Sequence, residues 1–251
     1  MNWVLDLDGV VWLAETPIAG SAEAIARLRA AGERVVFVTN NSNPRAAEYE
    51  DKLARHGIDA HGAVITSAMA AATLISAGER VLVCGGPGVV EALESRDAVI
   101  VHDGDADVVV VGFHREFDYE RMRIAATAVR RGARLVATND DATYPTPDGL
   151  IPGAGSILAG IERASGVAAE VAGKPYPAMA STVAARLDGG PSVVVGDRPD
   201  TDGRFAAALG YPFALVLTGV VTPDEAAAVD PRPDDIAADL ATLVDRKLSR
   251  Q

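Results

Sequence analysis

The sequence predicts an α/β protein whose parallel β-sheet is covered by helices on both faces. Short β-branched runs, such as residues 35–38 and 108–111, alternate with Ala-rich helical patterns along the chain, which is typical of βαβ units. These runs are apolar at nearly every position, as expected for strands buried on both faces. Hydrophobic residues make up 49% of the chain, so the predicted sheet can be enclosed in a large core.

Three βα units are predicted within the first 78 residues. Ser21 is predicted as the N-cap of the first helix, because Ser accepts hydrogen bonds from the free N–H groups of a first turn. Gly32 is predicted to end that helix, and Asn43 and Pro44 to open the second. The predicted strands are residues 3–5, 35–38 and 63–66, and the predicted helices are residues 21–31 and 43–55 and a third ending near residue 77.

A second alternation follows and predicts an inserted α/β domain at residues 80–170, with the core formed by residues 1–79 and 171–251. The insertion has predicted strands at 81–83, 108–111 and 135–137, helices near 89–93 and at 118–131, a turn-rich segment at 139–155 and a helix to residue 165. The resumed core has predicted helices at 177–187, from 201 and from 234, with strands at 192–195 and 214–217.

Charge and cysteine content exclude several classes of function. The chain has 23 Lys and Arg against 35 Asp and Glu, a net charge of −12, which repels nucleic acids and anionic membranes. Cys84 is the one cysteine, which excludes an internal disulfide, and we expect it in the core. The amino terminus lacks the features of a signal peptide, and no apolar run approaches the roughly 20 residues of a membrane span. We therefore expect a cytoplasmic protein.

Two carboxylates follow the first predicted strand, at Asp6 and Asp8. Ligands of open α/β sheets bind at the carboxyl ends of the strands, so both acids belong to the expected active edge. Two acids this close do not both ionise freely without a cation, so either a metal binds or one carboxyl group stays protonated. Either outcome suits phosphoryl transfer. The alternative is a turn in which Asp and Gly serve only the backbone.

Further polar clusters stand where three other strands end. The second strand runs into residues 39–42, where a hydroxyl group, an amide and backbone N–H groups could hold phosphate oxygens. Lys174 lies between Gly173 and Pro175, and residues 196–202 contain three carboxylates that suggest a hard-cation site. Taken singly, these residues are also explained as helix caps and surface charge.

Taken together, these four clusters resemble the motifs of the haloacid dehalogenase superfamily. The sequences DLDGV, VTNN, GKP and GDRPDTD stand in the order of its four motifs, and the resemblance covers nearly the whole chain. An insertion after the third βα unit is similar to the NagD-like phosphatases of this superfamily, which carry a large α/β cap. The resemblance implies a three-layer, Rossmann-like core with an inserted α/β cap.

The resemblance also implies a role for each matching residue. Asp6 would be the nucleophile and Asp8 the general acid and base. Mg²⁺ would be held by the carboxylates of Asp6 and Asp197 and by the backbone oxygen of Asp8.

Three other residues would bind the phosphoryl group, and a fourth would support the metal. Thr39, the backbone around Asn40 and Lys174 would bind the phosphoryl group. Asp202 would support the metal from outside its first shell, through water or through Lys174.

In the cap, the resemblance suggests Tyr144 and Pro145 as specificity residues. The alternative is a structural loop stiffened by proline. Relatives often carry an acid where this chain has Phe113 and His114, so His114 is either a further ligand contact or a surface residue. The four histidines lack metal-ligand spacing, so zinc is not expected.

The predicted function is hydrolysis of small phosphate esters with Mg²⁺ through an aspartyl phosphate. The resemblance suggests glycerol phosphate, phosphoglycolate, pyridoxal phosphate, sugar phosphates or nucleoside monophosphates as the class of small-molecule partner. A phosphotransferase or mutase, or an inactive module that binds a phosphorylated ligand, remains an alternative. A dehalogenase needs neither Asp8 nor Mg²⁺ and is disfavoured. A homodimer through the cap is the alternative to a monomer.

Overall fold

The structure of the chain is a computed structural model that describes residues 1–146 and 149–249. These residues form two compact units. The first unit contains residues 1–39, residues 47–65 and the chain from Val183 onward, and the second contains residues 40–46 and 66–182. The boundaries of the core and cap given above stay a prediction.

Strands and helices alternate along the chain, which confirms the predicted α/β class. Up to residue 101 the elements are β1 Asn2–Asp6, β2 Trp12–Leu13, β3 Thr16–Pro17, α1 Ser21–Ala30, β4 Arg34–Thr39, α2 Ala46–Arg55, β5 Val64–Thr66, α3 Ser67–Ala72, β6 Arg80–Cys84, α4 Pro87–Glu94 and β7 Val99–Val101. They continue with β8 Val108–Val111, α5 Tyr119–Arg130, β9 Arg134–Ala137, β10 Thr143–Thr146, β11 Gly149–Pro152, α6 Ala154–Ser165, β12 Glu170–Val171 and α7 Pro177–Ala184. The last are β13 Ser192–Gly196, a π-helical segment Pro199–Gly203, α8 Arg204–Leu209, β14 Phe213–Val216, β15 Asp235–Ala237 and α9 Leu240–Leu248.

The first unit is built on a sheet with the strand order β15, β14, β13, β1, β4, β5. Strand β1 pairs in parallel with both β13 and β4, so its carboxyl end lies beside theirs. Leu5 is fully buried in a cluster that also contains Ile25 of α1, Leu53 of α2 and Leu243 of α9. These contacts fix the strand ends that carry the polar clusters.

The second unit has its own parallel sheet, with the order β12, β9, β8, β6, β7. Its core joins Val109 on β8 to Ala125 and Val129 on α5 and to Ile161 on α6. Cys84, at the end of β6, is fully buried in the same cluster, which confirms its predicted place in the core. Strands β10 and β11 form a separate antiparallel hairpin.

Several local predictions were wrong. The terminal helix starts at Leu240 rather than at residue 234, because Asp239 caps it by accepting a hydrogen bond from the Thr242 N–H at 2.7 Å. Residues 235–237 form strand β15 beside β14 instead. Ser21 is the first residue of α1 rather than its cap, and its hydroxyl donates to the Val10 carbonyl at 2.8 Å.

Other elements were missed or predicted too long. Helix α3 ends at Ala72 and does not reach residue 77. The segment predicted as turns contains the β10–β11 hairpin. Among the described helices, none is both long and apolar enough to cross a membrane.

Candidate active site

The loop after β1 reverses the chain within a few residues. The Leu7 carbonyl accepts hydrogen bonds from the N–H groups of Val11 at 2.9 Å and Trp12 at 3.2 Å, and the Gly9 N–H donates to the Trp12 carbonyl at 2.7 Å. Gly9 has φ +79°, a left-handed conformation that favours glycine. Leu7 is buried, whereas Asp6 and Asp8 on either side of it are partly exposed. The loop therefore anchors itself through Leu7 and presents both acids.

Three carboxylates of the first unit converge at the end of its sheet. Asp6, Asp197 and Asp202 each contribute one oxygen to a group in which all three oxygens lie within 4.8 Å of one another. Asp6 ends β1 and Asp197 follows β13, and these strands are neighbours with Leu5 paired to Val195. Carboxylate oxygens are the ligands that Mg²⁺ and Ca²⁺ prefer, and three acids this close repel one another unless a cation offsets their charge. The donor set therefore fits a hard divalent cation.

The two buried members of this group are held by backbone N–H groups. Asp197 is 4% exposed and its Oδ2 accepts from the Val220 N–H at 2.9 Å. Asp202 is 1% exposed and its Oδ2 accepts from the Arg198 N–H at 3.1 Å. Charge-assisted bonds of this kind fix the orientation of a carboxylate.

Lys174 is held by the side chain of Asn40 in the second unit. The Lys174 N–H donates to Asn40 Oδ1 at 2.7 Å, and Asn40 Nδ2 donates to the Lys174 carbonyl at 3.1 Å. Lys174 is 3% exposed, so the alternative of a surface charge is wrong. Burial of an ammonium group is costly without partners, which favours a specific role for Lys174.

Asn40 also connects to the loop that precedes β10. Its Nδ2 donates to Asp141 Oδ2 at 3.0 Å, and its carbonyl accepts from Asn139 Nδ2 at 2.7 Å and from the Ser67 hydroxyl. The amide side chain thus has an acceptor for each of its two hydrogens and a donor for its oxygen. Asn40 is a hydrogen-bonded hub that positions Lys174.

The predicted cap residues have different environments. Tyr144 is partly buried, its hydroxyl accepts from Asn41 Nδ2 at 3.2 Å, and its ring stacks on Phe113 with centroids 5.4 Å apart. Pro145 lies in β10 opposite Leu150. A role for either residue in specificity stays a prediction.

His114 is buried, with 7% of its surface exposed, so the alternative of a surface residue is wrong. Its Nε2 lies 3.8 Å from the Cys84 sulfur, and its ring meets Phe117 edge-on. Burial, aided by the positive charge of Arg121, lowers the pKa of His114. Burial also raises the pKa of Cys84 to about 12, so the thiol is not a nucleophile at neutral pH.

Each unit by itself brings together a different set of the predicted residues. Asp6, Asp197 and Asp202 meet in the first unit, where Thr39 is buried at the end of β4. In the second unit, Asn40 meets Lys174.

Sequence reasoning missed the segment at residues 218–220, which contacts Asp197 through Val220. The sequence feature that could have indicated this segment is a Thr-Gly pair directly after a predicted strand.

Comparison with known proteins finds two family models and several phosphatases that match this chain. Residues 3–98 match the family model described as haloacid dehalogenase-like hydrolase, and residues 171–243 match one described as HAD-hydrolase-like. A D-glycerol 3-phosphate phosphatase of Mycobacterium tuberculosis is 38% identical over 96% of this chain and 70% of its own length. An acid sugar phosphatase of Staphylococcus haemolyticus is 34% identical over 97% of this chain and 95% of its own length.

A solved structure shares the fold over the same range. The glycerol phosphate phosphatase of Mycobacterium tuberculosis in complex with magnesium superposes with a TM-score of 0.90 and 37% identity, covering 96% of this chain and 75% of that one. The same enzyme has also been solved in complex with calcium.

Proposed function

Since this chain belongs to the haloacid dehalogenase-like hydrolases and is a phosphatase, we propose that it hydrolyses phosphate monoesters of small metabolites with Mg²⁺ as cofactor. The observation that carries the proposal is the convergence of Asp6, Asp197 and Asp202. The relatives named for glycerol 3-phosphate and for sugar phosphates favour small polyol and sugar phosphates as substrates.

In the proposed reaction, the carboxylate of Asp6 attacks phosphorus and the bond from phosphorus to the ester oxygen breaks. The departing alkoxide takes a proton from Asp8. Asp8 then removes a proton from a water molecule that attacks the aspartyl phosphate, which releases inorganic phosphate and restores Asp6. Asp6 must therefore be ionised at the start, whereas Asp8 must carry a proton.

The remaining residues supply binding and charge. Lys174 and Thr39 bind the phosphoryl oxygens, and Asn40 contributes through its backbone, because its amide side chain bonds to Lys174 and Asp141. Mg²⁺ would be held by the carboxylates of Asp6 and Asp197 and the backbone oxygen of Asp8, with Asp202 beside them, and would offset negative charge on the phosphoryl group.

The test is a panel of phosphate esters assayed with and without Mg²⁺. We expect phosphate release from glycerol phosphate or a sugar phosphate, its loss with EDTA and its recovery with added Mg²⁺. The Asp6→Asn variant is the matched control, because it keeps the size of the side chain and removes the nucleophilic carboxylate. Turnover of no ester in the presence of Mg²⁺ would refute the proposal, and a product that depends on an alcohol acceptor would identify a phosphotransferase.

A further inference from the structure

The segment Thr218-Gly219-Val220, called here the 218–220 segment, follows strand β14. It approaches the cluster formed by the carboxylates of Asp6, Asp197 and Asp202. It contains no carboxylate, amine, imidazole or thiol side chain. It makes three separate contacts with the residues around Asp197, and none of these follows from the four motifs.

The first contact is a hydrogen bond to Asp197 itself. The Val220 N–H donates to Asp197 Oδ2 at 2.9 Å. Val220 is 57% exposed, so burial of this residue does not hold the segment here. The backbone N–H uses one lone pair of Oδ2 and so fixes the rotation of the carboxylate.

The second contact joins the segment to the loop that carries Asp6 and Asp8. The Thr218 hydroxyl donates to the Gly9 carbonyl at 2.5 Å, across 209 residues of sequence. The carboxyl end of β14 and the loop after β1 are therefore tied directly to each other at the carboxylate group.

The third contact explains why residue 219 is glycine. A Cβ atom at Gly219 would lie 1.8 Å from Asp197 Oδ2 and 2.3 Å from its Cγ, far inside van der Waals distance. Gly219 does not adopt a left-handed φ, so close approach rather than backbone conformation requires glycine. A Cβ at Gly9 would also lie 2.4 Å from Asp197 Cγ. The Asp197 carboxylate is thus packed against two glycines, Gly9 and Gly219, whose lack of a side chain makes room for it.

We propose that the 218–220 segment is a positioning element that orients the Asp197 carboxylate for binding a divalent cation. This inference rests on the proposed function, which assigns Asp197 to the metal. The segment touches neither substrate nor phosphorus in this proposal and acts through Asp197 and through the Gly9 backbone that packs against Asp197. Loss of its contacts should weaken Mg²⁺ binding and leave the reaction at saturating Mg²⁺ largely intact.

The central experiment compares Val220→Pro with Val220→Ala by calorimetric titration of each protein with Mg²⁺. Proline removes the N–H and places its ring Cδ on the side of the nitrogen that faces Asp197 Oδ2, so the carboxylate loses its donor and is displaced. Alanine removes only the exposed side chain. We expect Val220→Pro to raise the Mg²⁺ dissociation constant about tenfold, which corresponds to ~1.4 kcal/mol, and Val220→Ala to change it less than about twofold.

Thr218 provides an independent test that does not alter the backbone. Thr218→Val removes the hydroxyl and keeps the shape, whereas Thr218→Ser keeps the hydroxyl. We expect weaker Mg²⁺ binding in the valine variant and recovery in the serine variant. Circular dichroism and thermal unfolding without metal establish that each variant is folded.

The outcomes separate this inference from the proposed function. If Val220→Pro and Thr218→Val are folded and bind Mg²⁺ as the parent does, the positioning role is wrong, even when the parent hydrolyses phosphate esters. If the parent binds no divalent cation, the inference is also wrong. If the parent binds Mg²⁺ and hydrolyses no ester, the proposed function fails, while the order of the Mg²⁺ affinities still tests the segment.

Discussion

The hydrogen-bonded hub at Asn40 predicts a measurable coupling between residues 40 and 141. Replacing Asn40 with Asp keeps the acceptor for the Lys174 N–H and removes two donated bonds, to Asp141 Oδ2 at 3.0 Å and to the Lys174 carbonyl at 3.1 Å. It also places two carboxylates against each other. Adding Asp141→Asn restores a donor on the opposite side, so the exchanged pair can reform the lost bond.

The size of the effect follows from the bonds that are lost. A hydrogen bond to a charged acceptor contributes about 1.5–3 kcal/mol and a neutral one about 1 kcal/mol, so Asn40→Asp should lower the free energy of unfolding by roughly 3 kcal/mol. For a chain of this length that change lowers the melting temperature by about 6–12 °C. The Asn40→Asp/Asp141→Asn protein should recover at least ~1 kcal/mol, which a double-mutant cycle measures as coupling.

Thermal and urea unfolding of the four proteins in this cycle provide the assay, and steady-state kinetics provide a second readout. We expect KM for the phosphate ester to rise in Asn40→Asp, because the Lys174 backbone loses one of its two bonds to residue 40. The reasoning is refuted if the two substitutions are additive in their effect on the unfolding free energy. The same holds if Asn40→Asp is as stable as the parent.

Four further predictions concern the reacting acids and the buried Cys84–His114 pair. Asp6→Asn should lower kcat by about 10⁴-fold or more and abolish a trapped phosphoenzyme, and a labelled phosphoenzyme in this variant would contradict the assignment. Asp8→Asn should lower kcat/KM, which reports formation of the aspartyl phosphate, by about 10²–10⁴-fold for alkyl phosphates but much less for 4-nitrophenyl phosphate, since that leaving group needs no acid. Cys84, whose pKa burial raises to about 12, should resist iodoacetamide at pH 8 until urea unfolds the chain; modification of the folded protein would argue against its burial. Burial lowers the pKa of His114, so below the ordinary His pKa the unfolded chain binds a proton that the folded chain does not. The free energy of unfolding should therefore fall as pH drops from about 7 through the ordinary His pKa near 6.5 toward the lowered value. Urea titrations at several pH values should show a weaker dependence in His114→Asn.

Sequence patterns were sufficient for the strands that carry the chemistry. Strands β1, β4 and β13 are apolar runs that end in acids or amides, and a parallel sheet brings their carboxyl ends to one edge. This rule places Asp6 and the acids after β13 at one edge of the sheet without any knowledge of loop conformation. The specific association of Asp6 with Asp197 was implied by the resemblance to the superfamily.

The parts that the sequence did not reveal depend on tertiary contacts. Strand β10 contains Pro145 and β11 ends at Pro152, and proline argues against a strand in any local reading. Strand β15 is three residues long and is defined by its pairing with β14, so no periodicity could distinguish it from a helix start. The bond from Thr218 to Gly9 spans 209 residues, a separation at which spacing carries no information.

The geometry of the cluster formed by Asp6, Asp197 and Asp202 depends on the neighbouring glycines as much as on the acids themselves. A Cβ at Gly196 would lie 2.2 Å from Asp202 Oδ2, just as one at Gly219 would collide with Asp197. Acids that must stand within a few ångströms of one another leave no room for neighbouring side chains, so the backbone itself forms the wall of the group and supplies its hydrogen-bond donors. A motif described only by its acids therefore omits the glycines that set the geometry of those acids. In this chain those residues come from three different strand ends, after β1, β13 and β14, which is why the group depends on the register of the whole sheet and not on any single loop.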